Sequence, residues 1–386
     1  MADRPLFFLT TLAITIGVIF SYSLSAYATL FYGYNEFHFF IRQLIAGIIG
    51  IYLMWQVSRF DPEKLIVKLG FTLFLLFMVL MFVMHYLPES MATSAGGAKR
   101  WIRLPFFSLS PVEFFKIGFV VFLAWSFSRK FSHTTKVPLV DEMKIFAPYA
   151  ALFLLAVFLI AVLQNDLGQI FLLGITLALM VVFAGSSFRL FFSLLMGALI
   201  LAIAVIISSD HRILRIKLWW ANAQNFVLSI VPEGLAKSLR VENLPEPYQI
   251  HHSLNSIQNG GFFGEGLGNG LIKLGFLSEV HTDIVLAGIA EETGFVGLFF
   301  CTLLFCAIIY RIFKIANRSE NNVFYLFCVG AGILLSFSFM INAYGISGIT
   351  PIKGIAVPFY SYGGSSLVAN CLAIGMILSI SKKAKM

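Results

Sequence analysis

Long apolar runs recur along the whole chain and restrict its fold more than any other feature. A helix needs about 20 apolar residues to cross a bilayer, and about ten runs in this sequence approach that length. The runs span approximately residues 6–28, 39–57, 67–87, 111–128, 146–163, 168–185, 188–208, 284–310, 322–345 and 354–380. Hydrophobic residues make up 59% of the 386 residues and charged residues 12%, which excludes an ordinary soluble domain. The sequence therefore predicts a single polytopic domain, residues 1–386, of the all-α integral membrane class.

The short loops between these runs predict the orientation, because cytoplasmic loops carry an excess of Lys and Arg. One side of the predicted bundle holds Arg4, Arg59, Lys64, Arg129, Lys130, Lys136, Lys144, Arg189, Arg311, Lys314, Arg318, Lys382, Lys383 and Lys385. Both termini are then cytoplasmic, and residues 209–283 form one large extracytoplasmic loop between the seventh and eighth helices. The net charge of +8 favours contact with anionic lipid over nucleic-acid binding.

Asp283 lies where the large loop meets the apolar run that begins at Ile284. An ionisable group at the end of a membrane helix raises the free energy of the folded protein unless it is paired or hydrated, and it indicates function by default. Thr282 and Asp283 also stand where an N-cap would satisfy the free amides of that helix. The cap and the chemical role both remain open at this stage.

Three more carboxylates have structural and functional interpretations. Glu291 and Glu292 lie inside the same apolar run, where they either serve function or pair with a basic group on a neighbouring helix. Asp166 lies in a tight turn and is placed to cap the sixth helix.

The segment before the fourth helix is basic and aromatic. Lys99, Arg100 and Arg103 flank Trp101, a pattern that suits headgroup anchoring or phosphate binding. The fourth helix then begins with Ser110 as N-cap and Pro111 at the first position. Glu113 and Lys116 are three residues apart on one helix face, which predicts an ion pair.

The large loop is long enough to indicate function if it lacks regular structure. It opens with Arg212, Arg215, Lys217, Trp219 and Trp220, a stretch that suits an amphipathic helix on the membrane surface. Glycines within residues 260–270 superficially suggest a nucleotide loop. No strand precedes them and no Gly-Lys-Ser/Thr follows, so nucleotide binding is rejected.

Residues 348–366 combine proline, glycine and hydroxyl side chains that break regular helix. Irregular backbone at membrane depth is tolerated only beside protein or a hydrated cavity. The pattern therefore predicts a cavity at this end of the last helix.

These stretches together resemble the SEDS family (shape, elongation, division and sporulation), and the likeness runs almost end to end. It rests on Ser21-Tyr22-Ser23-Leu24-Ser25, Arg42-Gln43, Lys99-Arg100-Trp101-Ile102, Ser110-Pro111-Val112-Glu113-Phe114-Phe115-Lys116, Gln164-Asn165-Asp166-Leu167-Gly168, Gly264-Glu265-Gly266-Leu267-Gly268-Asn269, His281-Thr282-Asp283, Glu291-Glu292, and Pro358 with Ser361-Tyr362-Gly363-Gly364-Ser365-Ser366. Residues 351–354 and 363–366 look more like the division members than the elongation members. The chain departs from the family pattern at Asn165, at His252 and in an insertion between Trp220 and Tyr248.

The resemblance implies a peptidoglycan glycosyltransferase that polymerises lipid II in the cytoplasmic membrane at the division septum. It also implies a class B penicillin-binding protein and other division membrane proteins as partners. A flippase for lipid II, an elongation polymerase and a non-catalytic division scaffold are the alternatives.

The implied reaction needs one base and several cations. Asp283 is the expected base for the acceptor hydroxyl. The expected groups at the lipid diphosphate and its cavity are Arg42, Arg100, Glu113, Lys116, Lys353, Ser361 and Ser365. The expected supporting groups are His281, Thr282, Asp166, Glu291 and Glu292. A divalent cation, Mg²⁺ or Mn²⁺, is a further expectation, without assigned ligands.

Overall fold

The computed structural model describes residues 2–95, 98–104, 107–131, 138–241, 248–274, 277 and 279–384. Within them lie α1 (Arg4–Leu24), α2 (Ala26–Tyr32), α3 (His38–Arg59), α4 (Pro62–Tyr86), β1 (Ala92–Ala95), β2 (Ala98–Arg103), β3 (Ser108–Leu109), α5 (Pro111–Lys130), α6 (Leu139–Val157), α7 (Leu167–Phe183), α8 (Phe188–Ile207), α9 (Asp210–Leu228), α10 (Glu233–Leu239), α11 (Tyr248–Gly260), α12 (Val285–Asn317), α13 (Asn322–Ile346) and α14 (Gly364–Ser381). A π-helical turn, Phe158–Leu163, extends α6, and a 3-10 turn, Ile272–Leu274, precedes α12.

The predicted membrane helices are confirmed. In the described chain, nine helical segments are long and apolar enough to cross a membrane, and the 17-residue helix α7 is a tenth apolar helix. Helices α5, α13 and α14 form the centre of the bundle, whereas α8 buries only Leu190. The protein is therefore a multi-pass membrane protein whose core lies among α5, α13 and α14.

One predicted helix boundary was wrong. The last helix begins at Gly364 and not at 354, because Pro358 and a left-handed Phe359 (φ 70°) interrupt the backbone before it. The all-α class is confirmed, and beside the helices β1, β2 and β3 form a small antiparallel sheet. The large loop has regular structure, because α9, α10 and α11 occupy much of it.

Both chain termini lie at the same end of the bundle. The backbone N–H of Asp3 donates to Ser381 Oγ at 2.9 Å, and Lys382 Nζ donates to the carbonyls of Arg59 and Phe60, each at 2.9 Å. Arg311 forms an ion pair with Asp3. An even number of crossings explains this arrangement. The opposite end, called the site end below, carries Asp283; that it faces outward stays a prediction.

Helix α12 is broken near its beginning. Gly294 has φ 66° and ψ −168°, which no α-helix contains. Helical bonding would join the N–H of Phe295 and Val296 to the carbonyls of Glu291 and Glu292. Those four groups pair instead with the glycine-rich segment, residues 260–270.

The exchanged hydrogen bonds are well formed. The N–H of Glu265 donates to the Glu291 carbonyl at 3.0 Å, and the N–H of Gly266 donates to the Glu292 carbonyl at 2.9 Å. In return, Phe295 donates to the Gly261 carbonyl at 3.0 Å, and Val296 to the Phe262 carbonyl at 3.2 Å. The break therefore leaves none of these four peptide groups unpaired.

The glycines permit this close approach of two backbones. A Cβ on Gly264 would lie 2.3 Å from the Glu292 carbonyl oxygen, and one on Gly294 would lie 2.4 Å from the Gly264 nitrogen. A Cβ on Gly260 would lie 2.0 Å from the Ala290 oxygen. The glycine pattern thus has a structural cause in the pairing with α12.

We expect Gly264→Ala to lower the free energy of unfolding by about 2 kcal/mol more than Gly268→Ala, because it forces two backbones apart. Gly268 is the matched control, since it also has a left-handed φ of 88° but has no atom within 4 Å of an added Cβ. Thermal unfolding in one detergent measures both. Equal loss in the two variants would contradict the proposed role of the close contact.

Candidate functional site at one end of the bundle

Asp283 does not cap the helix that follows it. Helix α12 begins at Val285 with Ile284 at the N-cap position, and no side chain caps it. The carbonyl of Asp283 accepts a hydrogen bond from Asn342 Nδ2 at 2.6 Å, which fixes the backbone and leaves the carboxylate for other contacts. Thr282 Oγ1 donates to Glu279 Oε2 at 2.9 Å. The structure therefore removes the cap as the reason for Asp283.

The carboxylate of Asp283 is half-buried beneath segment 351–363. A Cβ on Gly354 would lie 2.9 Å from Asp283 Oδ2, so glycine leaves room for the carboxylate. Burial raises the pKa of Asp283 to about 7, and the negative charges of Glu279 and Asp166 add to the rise while Arg100 opposes it. A carboxyl group with this pKa can take up and release a proton near neutral pH.

Ser361 anchors the irregular segment to the residues before α12. Its hydroxyl donates to the Thr282 carbonyl at 2.6 Å and accepts from the N–H of Val357 at 2.8 Å. Gln43 Nε2 donates to the Ser361 carbonyl at 3.1 Å, and Gln43 Oε1 accepts from the N–H of Gly363 at 3.2 Å. Ser361 therefore holds the site together through backbone contacts.

His281 is packed among aromatic rings. Its ring centroid lies 4.9 Å from that of Phe39 and 5.6 Å from that of Tyr362. Burial lowers the pKa of His281 to about 4, so the imidazole is neutral at physiological pH. Arg42 is exposed. Burial raises the pKa of Tyr362, and the nearby Arg42 opposes that rise.

Ser365 ties α14 to the start of α5. Its hydroxyl donates to the Ser108 carbonyl at 2.8 Å and accepts from the N–H of Ser110 at 3.0 Å. Ser110 occupies the predicted N-cap position of α5, but its hydroxyl makes no capping bond.

Arg100 is held by the turn before α7. Its Nε donates to the Gln164 carbonyl at 2.9 Å, and its Nη2 donates to the Asn165 carbonyl at 2.7 Å. Its Nη1 lies 4.0 Å from Asp166 Oδ2. Asp166 caps α7 as predicted, accepting from the N–H of Gln169 at 3.3 Å. Burial raises the pKa of Asp166, and Arg100 opposes the rise.

The predicted ion pair between Glu113 and Lys116 is confirmed. Lys116 Nζ lies 2.9 Å from Glu113 Oε2, and both side chains are buried. Gln169 Nε2 donates to Glu113 Oε1 at 3.1 Å. The pair lies within α5, and the bond from Gln169 ties it to α7, so the pair has a structural role that does not require substrate.

Glu291 and Glu292 fasten the large loop to α12. Glu291 accepts from Ser256 Oγ at 3.0 Å and from the N–H of Ile272 at 2.8 Å. Glu292 forms a buried ion pair with Lys273, and Ser23 donates to the same carboxylate. The ion pair was expected from a neighbouring helix, but its cation comes from the 3-10 turn of the loop.

Sequence reasoning missed four polar residues that organise this end: Gln43, Gln169, Lys273 and Asn342. Each is buried and bonded to a group discussed above. Two of them had a signal: Gln43 stands in the Arg42-Gln43 motif of the family resemblance, and two carboxylates inside an apolar run need a cation nearby, which Lys273 supplies.

No group of three or more His, Cys, Asp or Glu side chains is arranged to hold a metal ion among the residues that the structure describes. The expected divalent cation therefore has no ligands assigned to it and stays a prediction.

The fold and this site define a class: a multi-pass membrane protein with buried charges and a half-buried carboxyl group at one end of its bundle. The chain belongs to the FtsW/RodA/SpoVE family of cell cycle proteins, whose family model matches residues 3–386. The expected membership of the SEDS family is thus confirmed.

Curated relatives resemble the chain over nearly its whole length. A probable peptidoglycan glycosyltransferase FtsW of Helicobacter pylori (strain ATCC 700392 / 26695) is 55% identical, with 99% of both chains covered. A probable peptidoglycan glycosyltransferase FtsW of Trichlorobacter lovleyi is 30% identical over 100% of this chain and 94% of its own.

Solved structures share the fold. The rod shape determining protein RodA of Thermus thermophilus has a TM-score of 0.68 at 22% identity, covering 100% of this chain and 98% of its own. A chain from a peptidoglycan synthase complex that coordinates polymerization and crosslinking has a TM-score of 0.72 at 22% identity, covering 99% of this chain and 98% of its own.

We expect Lys116→Met to cost more stability than the double change Glu113→Leu with Lys116→Met. The single change leaves a buried carboxylate without its cation, a loss of roughly 3–5 kcal/mol in comparable pairs. Thermal unfolding of the purified variants measures the difference. Greater loss in the double variant would indicate that the pair itself contributes net stability.

Proposed function

We propose that this chain is a peptidoglycan glycosyltransferase that polymerises lipid II, a disaccharide-pentapeptide on undecaprenyl diphosphate. The observation that carries the proposal is Asp283, a half-buried carboxyl group with a pKa of about 7 that caps no helix. The activity named for the relatives supplies the reaction class.

Asp283 acts as the base in this proposal. The 4-hydroxyl of the acceptor N-acetylglucosamine attacks C1 of the donor N-acetylmuramic acid, and Asp283 accepts the hydroxyl proton as the new glycosidic bond forms. The bond from C1 to the lipid diphosphate breaks on the opposite face, so configuration inverts. Partial burial favours this role, because it holds the pKa where deprotonation and basicity are balanced.

Cations at the site end balance the charge of the departing diphosphate. Lys353 and Arg42 are the members of the predicted set whose charges are not taken by a carboxylate or carbonyl in the contacts described above. Arg100 and Lys116 support the site through the bonds to the α7 turn and to Glu113. A Mg²⁺ or Mn²⁺ ion shared with the diphosphate would supply further positive charge.

The proposed partner is a class B penicillin-binding protein, a transpeptidase that crosslinks the new strands. The likeness of fold to a chain of a synthase complex supports such a pairing. The high identity to FtsW relatives supports work at the division septum of the cytoplasmic membrane, together with other division proteins.

Reconstitution of the purified protein with labelled lipid II tests the activity directly. Glycan chains on a gel support the polymerase. Exchange of lipid II between leaflets without glycan would indicate a flippase. Neither result, in a preparation that still binds its partner, would indicate a scaffold.

We expect Asp283→Asn to lower polymerisation by roughly a hundredfold or more, as for other missing general bases. The amide keeps the size of the side chain, and Asn342 bonds only the backbone carbonyl here, so folding should be retained. Glycan synthesis, partner binding and thermal stability are measured on one preparation. Near-normal synthesis by a folded variant would exclude Asp283 as the base.

We expect kcat/KM to rise with pH and to level off above an acid limb near pH 7, because Asp283 must be deprotonated to act and its pKa is about 7. The same rise in the pKa of Asp283 lowers the free energy of unfolding as pH rises from about 4 towards 7, because the folded state binds the proton more tightly than the unfolded state does. Rates across this range measure the limb. An acid limb near pH 4 would contradict the role of burial.

A further inference from the structure

Helix α9 presents one face to the bundle. Arg212, Arg215, Trp219 and Asn222 follow at intervals of three, four and three residues, which places them on one side of the helix. The expectation that this helix is amphipathic and lies on the membrane surface stays a prediction. The stripe that contacts the bundle carries both arginines at the site end, and the Arg215 side chain itself is exposed.

Two contacts fix α9 in place. At its start, Arg212 Nη2 donates to Asn165 Oδ1 at 3.0 Å, in the turn before α7. Further along, Trp219 Nε1 donates to the Gly348 carbonyl at 2.9 Å, in the turn after α13. Arg215 lies between these two anchors on the same face of the helix.

Lys353 lies at the start of α7, next to the turn that Arg212 contacts. It follows Gly348 by five residues, and its Cβ lies 3.4 Å from an added Cβ on Gly168, at the start of α7. Burial lowers the pKa of Lys353, the positive charges of Arg215 and Arg212 lower it further, and the Asp166 carboxylate opposes the fall. Arg212 contacts the turn before α7 and Lys353 packs at the start of α7, so Arg215, about one helical turn beyond Arg212, lies at the same end of the bundle as Lys353.

The other cations at this end already have partners. Arg100 bonds backbone carbonyls, Lys116 pairs with Glu113, and Lys273 pairs with Glu292. Among the described residues, the side chains of Arg215 and Lys353 make no hydrogen bond and no ion pair with a protein group. The Asp166 carboxylate offsets part of the positive charge around Lys353, but it also faces Arg100, so one carboxylate stands against several cations. A bound anion would relieve the remaining repulsion between the cations.

We infer that Arg215 and Lys353 together bind the diphosphate of the lipid-linked substrate, while Arg212 positions α9 above the site. This inference rests on the proposed function. A guanidinium binds two phosphate oxygens at once and an ammonium adds a compact charge, so the pair suits a diphosphate better than a single phosphate. Lys353 precedes Gly354, which contacts Asp283, so the bound diphosphate would lie beside the proposed base.

Binding of undecaprenyl diphosphate to the full chain in nanodiscs tests the inference, with undecaprenyl monophosphate as the comparison ligand. We expect Arg215→Gln and Lys353→Gln each to weaken diphosphate binding by about tenfold or more. We expect a smaller effect on the monophosphate. Arg215→Lys should restore part of the affinity, because the charge remains while the bidentate geometry is lost.

Lys217→Gln is the matched control. Lys217 is an exposed cation on the same helix, two residues beyond Arg215 and so on the opposite face. It should bind diphosphate as the unchanged protein does. If Arg215→Gln and Lys217→Gln bind equally well, the inference is overturned. Arg215 is exposed, so Arg215→Gln should fold. The comparison of Arg215→Gln with Lys217→Gln therefore tests the inference even if Lys353→Gln fails to fold.

Polymerisation of lipid II on the same preparations separates this inference from the proposed activity. If diphosphate binding depends on Arg215 and no glycan forms in the unchanged protein, the binding site stands and the glycosyltransferase proposal fails. If Arg215→Gln makes glycan with unchanged KM and kcat, the binding site fails and the activity stands.

Discussion

The structure depends on backbone hydrogen bonding at the break in α12. Peptide groups released from a helix in or near a membrane must find partners, because an unpaired group costs several kcal/mol there. The segment 260–270 supplies those partners by pairing with residues on both sides of Gly294. Glu291 and Glu292 strengthen the joint through their side chains, so the large loop and the membrane helix form one unit.

That unit determines where Asp283 lies. The short helical piece before Gly294 leads directly from Asp283, and the second irregular segment, 351–363, covers it through Ser361 and Gly354. The residues just before the broken helix α12 and the irregular segment before α14 thus meet at Asp283. Membrane proteins also use irregular backbone between helices to bind polar ligands. The half-buried carboxyl group results from this meeting and not from helix capping.

The charged residues of the site end divide into two groups by their contacts. Glu113 pairs with Lys116 within α5 and is bonded to α7 through Gln169, and Glu292 pairs with Lys273 of the large loop. Asp283 forms no ion pair with a described residue. Burial raises its pKa, the charges of Glu279 and Asp166 raise it further, and Arg100 opposes the rise. A residue left without such a partner is the better candidate for chemistry, because its charge remains available to a substrate.

The sequence by itself determined the class of fold, the membrane helices and several local features. The apolar runs, the ion pair of Glu113 with Lys116 and the cap at Asp166 follow from spacing along single segments, because helix geometry fixes which neighbours meet. The family resemblance rested on ordered motifs that comparison with relatives then supported. Only the tertiary structure decided that Asp283 caps nothing, that the glycines pair with α12, and that Glu292 meets Lys273. No helix or strand spacing relates the residues that make these contacts, because buried peptide groups and charges take the partners that tertiary packing brings to them.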